Sequence, residues 1–136
     1  MKEIILSSLD VSRIRKSIEE AIRKKSIGQN EASTLANELL SAKIVEPEKI
    51  PGNIVTMNSI VKVSFLNTKK TLQIQIVYPE NANFRENRIS ILSPVATALI
   101  GYKVSDEIEW IVPSGLTRLR IDEIIYQPEA AGDFDL

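Results

Sequence analysis

The chain has 136 residues, 43% hydrophobic and 26% charged, with a formal net charge of −1. That size supports one main core with an appendage, and that charge gives no strong overall pull on nucleic acid. Cysteine and histidine are both absent, which excludes disulfides, thiolate nucleophiles, imidazole acid–base catalysis, Ser-His-Asp triads and the usual zinc ligand sets.

No apolar run reaches the 18 residues that a membrane helix requires, and the start has no signal-peptide pattern, so a soluble cytoplasmic protein with no membrane partner is expected. From Asp10 the apolar residues Val11, Ile14, Ile18, Ala21 and Ile22 follow helical spacing, and Ser7 or Ser8 can cap the start. Between Ser12 and Lys25 six basic residues oppose two acidic ones. Such a basic face is ordinarily a solvated one, and otherwise a contact surface for an acidic partner. The pattern stops at "KKSIGQN", where Gly28 permits a turn and Asn30 can cap a second helix carrying Ala32, Leu35, Ala36, Leu39, Leu40 and Lys43 on one side. A loop this short implies an antiparallel helical hairpin of two helices of about 14 residues, an arm on the order of 20 Å long with a seam narrow enough to stand partly away from the main core.

Pro47, Pro51 and Gly52 end the helical pattern, dividing the chain into residues 1–47 and 48–136. Beyond them the period becomes two: Val61, Val63 and Phe65, then Leu72, Ile74 and Ile76, with polar residues between. A polar loop from Tyr78 leads to a short strand over 88–92. Ser93-Pro94 and Gly101 then fence a two-turn helix, in which the Ser93 hydroxyl can cap, Pro94 suits the first helical position and Gly101 a left-handed C′. Val95, Ala98, Leu99 and Tyr102 are expected to cover the sheet. A strand with Ile108, Trp110 and Val112 and a last strand over 116–126 complete an α+β fold, and the tail "QPEAAGDFDL" reads as irregular.

The run "SPVATALIGYKVSDEI" resembles the signature of the C-terminal domain of Gre transcription factors. "IVTMNSIVKV", "IVYP" and "YQPEAAGDFDL" extend the likeness over most of residues 54–136; Ser105 stands where that family usually has glycine. The resemblance implies an FKBP-like antiparallel β-sheet wrapped on one short α-helix, preceded by the helical hairpin, and a partner in RNA polymerase at the rim of its secondary channel. It also implies that Ser93 and Pro94, with Val95 beside them, belong to the docking surface. In Gre factors two acidic residues at the hairpin tip help hold a catalytic magnesium. The corresponding tip here, Lys24, Lys25, Ile27, Gly28, Gln29 and Glu31, offers one carboxylate among cations, and the arm is shorter, so no metal, cofactor or cleavage activity is expected.

Other readings stand beside this one. An FKBP-like peptidyl-prolyl isomerase needs a pocket of several aromatic rings, and only three Phe, three Tyr and one Trp are scattered along the chain. Direct nucleic-acid binding rests on the first helix and on Arg118 and Arg120, without interleaved aromatics. A scaffold role would have the hairpin bind a protein other than polymerase. Neither a catalytic residue nor a small-molecule substrate is indicated, and the leading expectation is a non-enzymatic regulator that competes with Gre factors.

Overall fold

The computed structural model of the chain describes residues 4–24, 35–37, 39–112 and 115–133. A short strand, β1 (Ile5–Ser7), runs straight into α1 (Ser8–Arg23). Ser7 is the cap: its Oγ accepts from the Asp10 amide at 3.0 Å, satisfying one of the free donors of the first turn. Val11, Ile14, Ile18 and Ala21 form the buried face, whereas Ile22 lies off it at 46% exposure. The helix closes where the Lys24 amide donates to the Glu20 carbonyl at 3.0 Å.

Residues 35–37 and 39–41 are helical (α2), with Leu35 and Leu39 buried. Leu40, expected on the same side, is 75% exposed, and Lys43 has already left the helix for β2 (Lys43–Val45). The expected helical connection, with Lys25, Ile27, Gly28, Gln29 and Glu31, lies outside the described residues. β2 pairs in parallel with β1, Leu6 opposite Ile44. Strands this short are invisible to periodicity, and the pair fastens both ends of the helical segment to one place.

The main sheet has five strands in the order β5-β4-β3-β7-β6: β3 (Ile60–Phe65), β4 (Lys70–Val77), β5 (Arg88–Ser90), β6 (Glu107–Val112) and β7 (Gly115–Tyr126). It is antiparallel except at one edge, where β5 runs parallel to β4. The alternation of Val61 and Val63 with Lys62, and of Ile74 and Ile76 with Gln75, puts the apolar set on one face, as a half-buried sheet requires. The Trp110 side chain lies outside those described.

α3 (Pro94–Leu99) covers that face with the expected Leu99 and, in addition, with Ala96 and Ile100. Ala96, Leu99 and Ile100 are fully buried, and Val95, Ala98 and Tyr102 flank them. The chain then turns sharply: Ile100 is extended, Gly101 has φ +84°, and the Tyr102 amide returns to the Leu99 carbonyl at 3.2 Å, a type II turn. Glycine is required here for a second reason, since a Cβ would stand 2.7 Å from that of Ile4.

Two further expectations are corrected. The N-terminal helices, expected to stand partly away from the core, pack on it along their described residues: Val11, Ile14, Ile18, Leu35 and Leu39 belong to one apolar cluster with Val61, Ile76, Leu99 and Ile121. Each such buried side chain contributes about 1.5–3 kcal/mol, more than a narrow interhelical seam alone supplies. The tail is not irregular either, because Pro128–Ala131 forms a one-turn helix, α4. Gln127 makes that possible. Its Oε1 caps α4 at the Ala130 amide, while its Nε2 donates to the Pro51 and Ile54 carbonyls at 2.8 and 2.7 Å.

Candidate functional site

The surface singled out by the sequence lies where β5 passes into α3. Ser93 is the N-cap, Pro94 the first helical residue and Val95 the next, and both Ser93 and Val95 are half-buried. The expected capping bond is absent. The Ser93 Oγ is enclosed without a hydrogen-bond partner, and Thr97 instead bends back, its Oγ1 donating to the Ser93 and Ile91 carbonyls, both at 3.1 Å. Thr97 thus ties the helix start to the preceding carbonyls, while no backbone amide of the first turn donates to the Ser93 hydroxyl. Lys24, the one described residue of the predicted hairpin tip, is exposed at the end of α1.

A groove runs from this point along α1. One cavity of about 420 Å³ lies between Arg13, Lys16, Ser17 and Glu20 of the helix and Asn58, Tyr78 and Glu80 opposite. The next, about 380 Å³, shares Ser17, Glu20 and Glu80 and reaches Lys24 and Leu92, the residue before Ser93. The lining mixes both charge signs and includes a single aromatic ring. On one side, then, the basic excess of α1 faces a groove that carries carboxylates as well. The Tyr78 hydroxyl is enclosed, with Arg13 and Asp10 as charged neighbours; burial holds it above the usual tyrosine range, Asp10 adds to this and Arg13 opposes it.

Behind the groove is an interior polar cluster. Asp10 is only 3% exposed, and its Oδ2 accepts from the Met57 amide at 3.2 Å. The neighbouring Thr56 hydroxyl donates to Glu129 Oε1 at 2.7 Å and contacts the Ser59 hydroxyl at 2.8 Å. Burial, reinforced by the negative charge of Glu129, pushes the Asp10 carboxyl up to about 7, against the opposing effects of the Met57 amide, Arg13 and Ser7. Sequence reading missed this cluster. Asp10 takes no role there beyond marking where the helical spacing starts, and Glu129 lies in a tail that reads as irregular; only the spacing of Ser7 and Asp10, three apart, carries a signal of a tied helix start.

On the open face of the sheet, charges are paired across or along strands. Glu109 meets Arg118 at 3.2 Å, and Arg120 Nε donates to Asp122 Oδ1 at 2.9 Å. Arg118 and Arg120, named as nucleic-acid candidates, thus each have a carboxylate beside them. Among the described residues no group of three or more acidic side chains is placed to hold a metal ion, and no helix is long and apolar enough to cross a membrane.

The transcription elongation factor GreA/GreB C-terminal domain matches residues 50–126. The chain is 38% identical over 132 residues to the regulator of nucleoside diphosphate kinase of Escherichia coli K12, covering 96% of this chain and 95% of that one. It is 32% identical over 139 residues to the transcription elongation factor GreA of a Psychrobacter strain, covering 90% and 87%. Among solved structures, a prokaryotic transcription elongation factor GreA/GreB from Nitrosomonas europaea superimposes with a TM-score of 0.73 at 36% identity, over 93% of this chain and all of that one. The chain belongs to the GreA/GreB transcription factor family. Within that family its similarity extends along nearly its whole length to the regulator of nucleoside diphosphate kinase, and the names of its relatives are those of regulatory factors.

Proposed function

We propose that this protein is a non-enzymatic transcription regulator that binds RNA polymerase near the secondary channel through the start of α3, competes there with Gre factors, and does not stimulate transcript cleavage. The observation that carries the reading is the family match over 50–126, which includes the Ser93-Pro94-Val95 run at the partly exposed start of α3. The mixed-charge groove ending at Leu92 supplies contact area beside it. In this reading residues 1–47 form a short antiparallel helical arm and 48–136 an FKBP-like body. The arm's tip has one acid, Glu31, beside Lys24 and Lys25, a poor ligand set for the second magnesium of a cleavage reaction.

The test is binding of the full chain to core RNA polymerase, with a Gre factor as competitor and with the Ser93→Glu/Pro94→Ala variant alongside. Displacement by the Gre factor, together with a loss of affinity of at least about tenfold in a variant that keeps its thermal transition, is the expected result. Failure of the folded wild type to bind polymerase overturns the proposal. Transcript cleavage in stalled complexes should stay at the level of polymerase alone.

A further inference from the structure

The first and last described helices meet inside the molecule on two successive residues. Asp10, from the first turn of α1, takes the Met57 amide, and Glu129, from the middle of α4, takes the Thr56 hydroxyl. Between them the loop is closed on itself. The Thr56 amide donates to Ser59 Oγ at 3.0 Å, the Ser59 amide to the Thr56 carbonyl at 3.1 Å, and Asn58 takes a left-handed conformation at φ +66°. Thr56 and Ser59 are fully buried, Asp10 nearly so and Glu129 partly, so solvent screens one carboxyl from the other only incompletely.

We propose that α4 is a proton-linked strap: it grips the Thr56–Ser59 loop most tightly while Asp10 carries a proton, and its hold weakens when Asp10 ionises beside Glu129. The titratable and charged groups that face Asp10 are Glu129 of α4, Arg13 of α1 and Tyr78 at the end of β4. Of these Glu129 alone adds a like charge from α4. Arg13 favours the ionised form, but from α1 itself, so it moves with Asp10 and does not hold the tail. Burial together with Glu129 keeps the proton on Asp10 up to about neutral pH. Releasing α4 removes the Glu129 contribution and lowers the affinity of Asp10 for its proton. By linkage, the strap then loosens as pH rises toward 7 and levels off above it. The anchor that survives is Gln127, whose two bonds to the Pro51 and Ile54 carbonyls do not titrate. The tail therefore loosens from α4 outward.

Four amides report the seating of α4: Ala130 and Ala131 donate to Gln127, Gly132 to the Glu129 carbonyl and Asp133 to that of Pro128. Their hydrogen exchange is measured by NMR on the full chain between pH 5 and 8.5, corrected for the intrinsic pH dependence of exchange, with the Asp10 carboxyl carbon titrated in the same samples. We expect protection to fall by about tenfold with a midpoint shared by the Asp10 carbon, and to be independent of pH in Asp10→Asn. Glu129→Gln, which alters a partly buried and not a core group, provides a second readout if Asp10→Asn does not fold: it should lower the Asp10 midpoint. Flat protection in the wild type, a fall that persists in Asp10→Asn, or an Asp10 midpoint unmoved by Glu129→Gln each overturns the proposal.

Discussion

Asp10 and Asp122 are the same side chain in opposite circumstances. Asp10 lies in the join between the N-terminal segment and the rest of the molecule, 3% exposed, where burial and a neighbouring acid raise its carboxyl to about 7. Asp122 lies on the open face of the sheet. There burial is the largest single influence and raises the carboxyl, but the hydrogen bonds from Ser64 and Arg120 and the charges of Arg120 and Lys62 together outweigh it, so Asp122 is held below the ordinary carboxylate range. Within the join, polar groups are enclosed and few, and each determines where a segment sits. On the outer face they are numerous, solvated and replaceable.

If that contrast is right, the largest effects come from the join. Gly101 is its tightest point: its carbonyl accepts from Ile5 at 3.0 Å, its amide donates to Val55 at 2.9 Å, and Ile4 leaves no room for a side chain on it. Gly101→Ala combines a left-handed non-glycine residue with a steric overlap, and we expect a loss of about 3 kcal/mol in chemical denaturation. A loss below about 1 kcal/mol would show that β1 can retreat and that the join is softer than its contacts imply.

Next comes pH. Because the folded state holds a proton on Asp10 that the unfolded chain releases above about 4, stability should decline as pH rises from about 4 and level off near 7. Asp10→Asn should flatten that slope and, at pH 8, exceed the wild type by on the order of 2 kcal/mol, provided the amide oxygen keeps the Met57 bond. Urea titrations across the range decide it; an unchanged slope would assign the pH dependence to other groups.

The two regions were also unequally legible in the sequence. The sheet could be read strand by strand, since alternation such as Val61-Lys62-Val63 is dictated by one buried face, and Gly101 announced its turn because only glycine suits the left-handed position there. Even Ser105, standing where the family usually has glycine, bears out the pattern, with φ +79°. The join was illegible. β1 and β2 are three residues each and pair in parallel across nearly forty residues of chain, too short and too distant for any periodic signal. Asp10, Thr56, Gln127 and Glu129 become a cluster only after the fold has closed, and each taken alone has an ordinary surface reading. The start of α3 lies between these cases: its Ser-Pro-…-Gly frame was plain, yet the absence of a Ser93 capping bond depends on local geometry that spacing does not encode.

The smallest effect should come from the outer face, and it tests the contrast from the other side. Glu109 and Arg118 face one another across β6 and β7 at 3.2 Å, but their side chains are 60% and 57% exposed. An exposed pair gains little Coulomb energy in water and loses side-chain freedom when it forms. A double-mutant cycle on Glu109→Gln and Arg118→Gln should therefore give a coupling of no more than about 0.5 kcal/mol, falling further in 1 M salt. The join offers the control. Asp10 is enclosed, so the slope it imparts to stability against pH should survive the same salt. A large coupling at Glu109 and Arg118, or a slope abolished by salt, would mean that the sheet face and not the join carries the electrostatic structure of this protein.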